Sequence, residues 1–456
     1  MEVGGPSSKS MKSDFDMPKL TVPERLRSWA FSINDLIRWG GLRKEAVAAS
    51  NEAADHELAM KLRQERLRQL LQYAIRNTSF YAKYRESMDD LSAFPVLRKA
   101  DLRERKAEFL NESAAGHKLF RITTSGSSGE PFEWFHDGVK RRRKLADLVH
   151  YNGLAGYRIG MGHMIMRATP KGRLQQALMN QVWVDPTHWD KSLLEGVRQK
   201  LLRGKIRIAI GYPSVMADIA RYCQEKGDRP KAYSLISFIA TSELISPQQR
   251  DFISEAFGCR VVSRYATEEF GVIGQSGECC ERFSLDLGSL IVEVLHPDRD
   301  EPVAEGEVGR VVVTDFFLLS MPLIRYDIGD LARVEKLASD GLGAASLSSL
   351  EGKTTHLICD TSGRQVAPLA ILVAFKDFSG VSSFQFSQVG ERAYKLRVCP
   401  LNAEVHPQVC ERLKQILGED AEVAVEKLDA IPALPSGKRP IVINECKDNP
   451  VQVGCH

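Results

Sequence analysis

The segment between residues 123 and 131 is dense in hydroxyl side chains and glycine. Its sequence, TTSGSSGEP, would form a turn whose backbone N–H groups and hydroxyls can donate hydrogen bonds to an anion, with Gly126 and Gly129 allowing close approach. The segment lacks the lysine of a GxxxxGK(S/T) loop, so it is not a nucleotide-binding loop of that type. Taken alone, this composition favours a surface loop without a ligand over a phosphate site.

Three further segments place chemically useful side chains near turns or in loops. YATEE holds paired carboxylates at Glu268 and Glu269, which would suit Mg²⁺ beside phosphate oxygens, or simply the first turn of a helix. RYDIGD ends in Asp330, whose carboxylate could accept two ribose hydroxyls or only shape a turn. PSGKRP carries Lys438 on a loop, where a lysine is usually solvated. The order of the four segments, rather than any one of them, indicates a site for a nucleoside phosphate.

The elements that must position these segments change in character along the chain. Apolar positions in Leu58–Ile75 recur at helical spacing, and residues 23–110 are predicted to be helical. Between about 120 and 335, short β-branched runs alternate with helix-like stretches, which predicts an α/β domain with a strand-rich part from 285 to 335. Three regions are therefore predicted, with a boundary near Gly352: a disordered tail (1–20), a large α/β domain of several subdomains (21–351) and a small α+β domain (352–456).

The bulk composition limits the class of protein. The 62 basic and 59 acidic residues give a net charge of +3, which provides no argument for nucleic acid or an anionic membrane as the main partner. Nine scattered cysteines without a C-x-x-C pair favour reduced thiols over a disulfide framework. The longest apolar run, Val311–Ile324, is interrupted by Asp315 and Pro322. We expect a soluble, cytoplasmic protein that binds neither nucleic acid nor membrane.

The four segments, in this order and at these intervals, resemble the motifs of the adenylate-forming superfamily of acyl-CoA synthetases, adenylation domains and luciferases. TSGSSGEP resembles its phosphate loop, YATEE its Tyr-Gly-x-Thr-Glu motif with Ala266 for glycine, RYDIGD its Tyr-x-x-Gly-Asp motif, and PSGKRP the motif with its C-terminal lysine. FPVLRKADLRE, IGYPSVMADIA and FIATSELISPQQRDFISEAFGCRV look like the phenylacetate–CoA ligase branch in particular. The likeness runs from about residue 60 to 445.

The resemblance implies a role for each matched position. Thr267 would contact the α-phosphate of ATP, Glu268 would bind Mg²⁺, and Asp330 would take the ribose hydroxyls. Lys438, on a small domain that moves between two orientations, would bridge the α-phosphate and the carboxylate of the substrate. The other nucleotide-binding positions that the resemblance implies are Thr124, Ser125, Gly126, Ser127, Ser128, Gly129, Ser242, Glu243, Tyr265, Ala266 and Lys353.

The acid would bind between three stretches, Gly162–Thr169, Gly211–Ser214 and Phe270–Gly274. Small and aromatic side chains there suit a flat aryl acid. The candidate pocket residues are His163, Met166, Tyr212, Pro213, Ser214, Phe270 and Gly271.

The sequence departs from the family pattern in two places. Phe132 follows the phosphate-loop proline where many members have lysine. At the hinge, Lys353 replaces the usual arginine, and Thr355 and His356 replace an aspartate pair. Lysine offers a point charge rather than a planar fork. The first half-reaction is still expected, whereas the rotation of the small domain stays open.

A basic run, KRRRK (Lys140–Lys144), has two interpretations. It could attract the phosphates of coenzyme A, or it could be the solvated face of a helix. Such runs are more often solvated, and we expect the second.

The expected activity is that of an AMP-forming acid–thiol ligase. ATP, Mg²⁺ and coenzyme A would be its cofactors, and an aryl acid resembling phenylacetate, benzoate or aminobenzoate its substrate. Two alternatives stay open: transfer of the acyl group to a carrier-protein phosphopantetheine or to an amine, and a non-catalytic nucleotide-binding protein on the same fold. The sequence decides neither the acid nor the acceptor, and a homodimer is compatible with it.

Overall fold

A computed structural model gives the fold for most of the chain. The described residues are 18–38, 41–111, 118–123, 133–167, 170, 172–187, 190–277, 282–353, 357–375, 381–400, 407–434 and 438–446. The phosphate-loop positions Thr124 to Gly129, the hinge residues Thr355 and His356, and most of the predicted tail lie outside them.

The chain begins with helices that form part of the main core. Asp55 caps the longest of them, since its carboxylate accepts a hydrogen bond from the Leu58 N–H at 3.1 Å, and Leu70, Leu71 and Ala74 of that helix are fully buried. The helices of this part are α1 (Val22–Arg38), α2 (Leu42–Ala54), α3 (His56–Asn77), α4 (Lys99–Glu104) and α5 (Lys106–Phe109).

A short hairpin, β1 (Phe120–Thr123) with β2 (Glu133–His136), leads into a large mixed sheet. The elements of the sheet and its helices are α6 (Gly138–Leu154), β3 (His163–Met166), α7 (Arg173–Leu178), β4 (Gln181–Val184), α8 (Lys191–Leu202), β5 (Ile208–Gly211), α9 (Pro213–Glu225), β6 (Ser237–Thr241), α10 (Pro247–Phe257), β7 (Arg260–Thr267), β8 (Gly271–Ser276), β9 (Phe283–Leu285), β10 (Leu290–Leu295), β11 (Val308–Asp315), β12 (Tyr326–Leu337) and β13 (Ala344–Lys353).

The sheet has a parallel half and an antiparallel half, and the antiparallel half includes the strand-rich part predicted from 285 to 335. The strand order is β10-β11-β12-β13-β9-β8-β7-β6-β5-β3-β4. Strands β4, β3, β5, β6 and β7 pair in parallel, and the rest pair antiparallel. The parallel strands are nearly continuous apolar runs because helices cover them. The mixed α/β fold class is confirmed.

The last part of the chain forms a second, smaller sheet with its own apolar core. Its order is β18-β17-β16-β19, and Phe386, Leu396 and Leu413 are fully buried in it. Its elements are β14 (Ile358–Cys359), β15 (Gln365–Val366), α11 (Pro368–Ala374), β16 (Val381–Gln388), β17 (Ala393–Pro400), α12 (Pro407–Leu417), β18 (Glu422–Lys427) and β19 (Val442–Asn444). Strand β13 of the large sheet ends at Lys353, next to the predicted boundary at Gly352.

The basic run on α6 is not a solvated face, which corrects the expectation. Lys140 is completely buried, donates a hydrogen bond to the Phe270 carbonyl at 2.8 Å and pairs with the fully buried Asp315. Arg143 is also buried and pairs with Asp147 and Glu52. The sequence could not reveal this because Asp315 and Glu52, which pair with Lys140 and Arg143, are distant along the chain. Lys140 and Arg143 therefore form structural ion pairs within the fold.

Candidate active site

Several of the predicted site residues follow the carboxyl ends of neighbouring parallel strands. Strands β5, β6 and β7 are adjacent, with Gly211 opposite Ala240 and Thr241 opposite Arg264. Their ends lead into Tyr212, Ser242 and Glu268, respectively. Ligands of open α/β sheets bind at this edge because the strand ends and following loops converge there. The sheet therefore assembles segments that are far apart in sequence.

A tight turn after β6 directs Glu243 toward α9. Ser242 adopts the left-handed conformation with φ of 71°, which residues other than glycine rarely take. The Glu243 carboxylate accepts a hydrogen bond from the Ser214 N–H at 3.3 Å, at the start of α9. Burial raises the pKa of Glu243, and hydrogen bonds from backbone N–H groups oppose the rise.

Asp330 is held from two sides. The Tyr265 hydroxyl donates to one carboxylate oxygen at 2.9 Å, and the Lys353 amine donates to the other at 3.0 Å. Burial acts to lower the pKa of Lys353, but the charge and hydrogen bond of Asp330, together with the charge of Glu269, outweigh it and the net pKa is raised. Lys353, at the position where the family pattern has arginine, thus fixes the orientation of Asp330, the residue predicted to bind the ribose hydroxyls.

The YATEE segment ends in two carboxylates with different surroundings. Glu268 is largely exposed, with its side chain 62% accessible, and lies 3.7 Å from the Lys144 amine. Glu269 is half-buried, and burial raises its pKa. The Thr267 hydroxyl is a hydrogen-bond acceptor for the Phe270 N–H at 3.2 Å, which closes the turn after β7. Ala266 is half-buried within β7.

The carboxylates of this segment fit Mg²⁺ only if phosphate oxygens complete its coordination. Among the described residues, no cluster of three or more His, Cys, Asp or Glu side chains could hold a metal ion. Mg²⁺ commonly takes one or two carboxylates together with phosphate oxygens. The accessible Glu268 carboxylate meets that requirement.

Lys438 of the small domain lies close to the large domain's carboxylates. Burial lowers the pKa of Lys438, as does the charge of Lys353, whereas Glu243, Asp330 and Glu268 act to raise it. Its amine forms no ion pair with a carboxylate in the described parts of the chain. The Leu434 N–H donates to the Lys438 carbonyl at 2.8 Å, which closes the loop that carries it.

The neighbouring Arg439 joins the two domains directly. Its backbone N–H donates to Glu243 at 2.6 Å, and its guanidinium pairs with Asp218 of α9, both side chains being buried. The Arg221 guanidinium adds a hydrogen bond to the Asp429 carbonyl at 3.1 Å. We call the Arg439 contacts with Asp218 and Glu243 the domain latch.

Sequence reasoning missed this latch. One signal was present: Asp218 is a charged residue in a stretch of α9 that is otherwise apolar or small, from Pro213 to Ala220. An acid in such a stretch needs a buried cationic partner. The partner could not be identified, because Arg439 lies 221 residues away.

The predicted acid pocket is assembled only in part. Met166 ends β3 and lies against Gly211, where any side chain would collide with it. Tyr212, Pro213 and Ser214 follow as the buried start of α9. These residues share the edge that carries Glu243.

The other three pocket candidates, His163, Phe270 and Gly271, have different surroundings. His163 begins β3, at the end of the strand away from this edge, and packs against Tyr157. Phe270 is buried in the main core against Tyr326. Gly271 has φ of 92°, and the Lys144 side chain occupies the space beside it. His163 is therefore not brought to the site, because a strand residue three positions from the end lies about 10 Å from it.

Two curated proteins resemble the chain. Protein CapK of Staphylococcus aureus is 23% identical over 296 residues, which cover 60% of this chain and 63% of CapK, slightly less than two thirds of that protein. A phenylacetate–coenzyme A ligase of Thermus thermophilus is 25% identical over 422 residues, which cover 87% of this chain and 92% of the ligase. No protein-family model matches the chain.

A solved structure shares the fold over most of the chain. 2-Hydroxyisobutyryl-CoA ligase in its postadenylation state, in complex with 2-HIB-AMP, superposes with a TM-score of 0.66 at 19% identity, covering 85% of this chain and 89% of that one. The same ligase in its thioesterification state gives 0.54 at 19% identity, covering 84% and 90%. The chain thus superposes more closely on the postadenylation structure.

Fold and sequence comparisons point to the same class of protein. The fold is that of an adenylate-forming acyl-CoA ligase, and the sequence is phenylacetate–CoA ligase-like.

Proposed function

We propose that this protein is an AMP-forming acid–thiol ligase that activates an aromatic carboxylic acid and transfers it to coenzyme A. The observation that carries the proposal is the position of Lys438 of the small domain, whose amine forms no ion pair with any described residue and lies near Glu243, Asp330 and Glu268 of the large domain. This cation lies near carboxylates but does not pair with them. It is therefore suited to bind a negatively charged ligand.

In the first half-reaction, an oxygen of the substrate carboxylate attacks the α-phosphorus of ATP. The bond to the β-phosphate oxygen breaks, pyrophosphate leaves with that electron pair, and an acyl-adenylate remains. Negative charge builds on the phosphoryl oxygens, and the Lys438 ammonium stabilises it. Asp330, oriented by Tyr265 and Lys353, accepts hydrogen bonds from the ribose hydroxyls. Glu268 would hold Mg²⁺, which neutralises charge on the phosphates when bound.

In the second half-reaction, the thiol of coenzyme A attacks the acyl carbon. The thiol loses its proton, the bond from the acyl carbon to the phosphate oxygen breaks, and AMP leaves. The domain latch must open if the small domain is to change its orientation between the two steps. The higher structural similarity to a postadenylation state supports assigning the closed latch to the first half-reaction.

An aromatic acid is the finer part of the proposal. Met166, Gly211 and Tyr212 offer an apolar surface at the strand edge, close to the carboxylate of Glu243. The T. thermophilus relative is a phenylacetate–coenzyme A ligase, which agrees with such a surface. The 2-hydroxyisobutyryl ligase acts on an aliphatic acid, so small aliphatic acids are the natural comparison.

Pyrophosphate exchange into ATP tests adenylation directly. We expect exchange that depends on an aryl acid, exceeds the exchange with small aliphatic acids, and falls about 100-fold or more in Lys438→Ala. Mass spectrometry with coenzyme A and a holo carrier protein offered together should then find acyl-CoA. Exchange with no acid in a broad panel would favour a binding protein, and acyl-carrier or amide products would identify a different acceptor.

A further inference from the structure

Helix α1 presents an apolar stripe to solvent. Val22, Leu26, Trp29 and Ile33 follow each other at spacings of four, three and four residues, which places them on one side of the helix. Their exposed fractions are 69%, 63%, 67% and 42%. A contiguous exposed stripe that includes a tryptophan marks an interaction surface more often than an ordinary helix face does.

The opposite side of α1 is fixed in the fold. Asp35 is buried and accepts hydrogen bonds from the Leu42 N–H at 2.8 Å and the Arg43 N–H at 3.0 Å. Glu24 is buried and accepts a hydrogen bond from the Thr21 N–H at 2.8 Å. Both acidic residues of α1 therefore face inward, and the stripe cannot turn inward without breaking these contacts.

The exposed charges beside the stripe are positive. Arg25 and Arg27 are the exposed charged side chains among those described on α1, and Lys19 precedes them. On a helical projection Arg25 lies beside Trp29 at one edge of the stripe, and Arg27 lies about 100° round the helix from Leu26 on the other side. The stripe is thus bordered by Arg25, with Arg27 further round the helix.

A second exposed apolar patch lies on α7, and the sequence around it is also basic. Leu174 and Leu178, one turn apart, are 76% and 71% exposed. The sequence from Arg158 to Val184 contains four basic residues and no Asp or Glu. We call the exposed side chains of Val22, Leu26, Trp29, Ile33, Leu174 and Leu178 the α1/α7 face.

Direct contacts hold α7 close to α1. Gly160 packs so closely on α1 that a side chain there would collide with the Glu24 carbonyl. The Asn180 side chain, two residues beyond the end of α7, donates to the Gly160 carbonyl at 3.1 Å. The Arg158 guanidinium donates to the Pro18 carbonyl at 3.4 Å, just before α1. The end of α7 is therefore anchored beside α1.

We propose that the α1/α7 face docks the protein on the surface of an anionic lipid bilayer. Trp29 and Leu26 enter the boundary between headgroups and acyl chains, and Arg25 and Arg27 pair with lipid phosphates. The near-neutral charge of the whole chain gives no sign of this, because the basic residues are concentrated locally while the acids of α1 are buried.

Charge and shape favour lipid over other occupants. A second copy of the chain would bring arginines against arginines, which disfavours a symmetric contact. A protein partner would need separate pockets for side chains on two different helices. A bilayer surface has no fixed pockets, and it accepts both helices together.

Sedimentation of the full chain with vesicles tests the proposal. We expect binding to vesicles of phosphatidylcholine and phosphatidylglycerol in equal amounts, little binding to phosphatidylcholine alone, and weaker binding at high salt. Trp29→Ser with Leu26→Gln should weaken binding about tenfold or more, and Arg25→Gln and Arg27→Gln about fivefold each. Val425→Gln, an exposed apolar residue of the small domain, is the matched control and should bind normally.

These variants change exposed side chains, so their thermal unfolding should match that of the unmodified chain. Binding that is absent, indifferent to lipid charge, or unchanged in the α1 variants would overturn the proposal. A concentration-dependent dimer that Trp29→Ser abolishes, with no vesicle binding, would overturn it in favour of a contact between copies.

Discussion

Lys140 and Lys438 are both lysines near carboxylates, yet they differ in what surrounds the amine. Lys140 is completely buried, and its amine is satisfied by Asp315 and the Phe270 carbonyl within one domain. Lys438 is half-buried, belongs to the second domain, and faces three carboxylates without an ion pair among the described residues. A satisfied buried pair supports the fold, whereas an unsatisfied cation between two domains is available for a ligand.

The largest effect that tests this comparison concerns stability. Asp315→Ala leaves the Lys140 charge buried without its partner, which should reduce the free energy of unfolding by about 3–5 kcal/mol. Urea unfolding followed by tryptophan fluorescence measures it. The double variant Lys140→Met/Asp315→Leu removes both charges and should recover most of the loss. A single variant as stable as the unmodified chain would show that the pair is not structural.

The second effect concerns the domain latch. Asp218→Asn weakens the contact with Arg439. It should lower the rate of adenylate formation about tenfold, which corresponds to a loss of about 1.4 kcal/mol of transition-state stabilisation. Thioester formation from supplied acyl-adenylate should be unaffected. Asp228→Asn is the matched control, because Asp228 pairs with Arg198 inside the large domain at 2.6 Å. Equal loss in both half-reactions for Asp218→Asn would contradict the latch.

The smallest effect is a shift in pH dependence. Lys438 must be protonated to stabilise phosphate charge, and burial together with Lys353 lowers its pKa. The kcat/KM of adenylation should therefore be full below this pKa and fall as the pH rises through it, at a lower pH than for an exposed lysine. Lys438→Arg should remove this decline, because the guanidinium stays charged. Lys353→Met should move the decline to higher pH, and a decline unchanged in both variants would assign it to another group.

The sequence predicted the fold through local pattern. Alternation of β-branched runs with helix-like stretches predicted the α/β class, and the strands Ile208–Gly211, Ser237–Thr241 and Arg260–Thr267 overlap those runs. Segment order also pointed to Asp330 and Lys438, and the family resemblance pointed to Glu243; the structure places these three residues close together. Their roles in binding and catalysis stay predictions.

What the sequence could not predict depends on distant pairing and strand direction. Lys140 resembled a solvated residue because its partner, Asp315, lies 175 residues away. His163 and Met166 belong to one candidate stretch, but they lie at opposite ends of β3, and only Met166 is at the end that carries the site. Whether α1 buries or exposes its apolar stripe likewise depends on which side Glu24 and Asp35 anchor.

The central claim is that Lys438 acts in adenylation from the second domain. The most direct test measures both half-reactions in Lys438→Ala, by pyrophosphate exchange and by thioester formation from supplied acyl-adenylate. The account predicts that exchange falls about 10²–10³-fold while thioester formation stays within a few-fold of the unmodified chain. Equal loss in the two half-reactions, or exchange that survives without the amine, would contradict it.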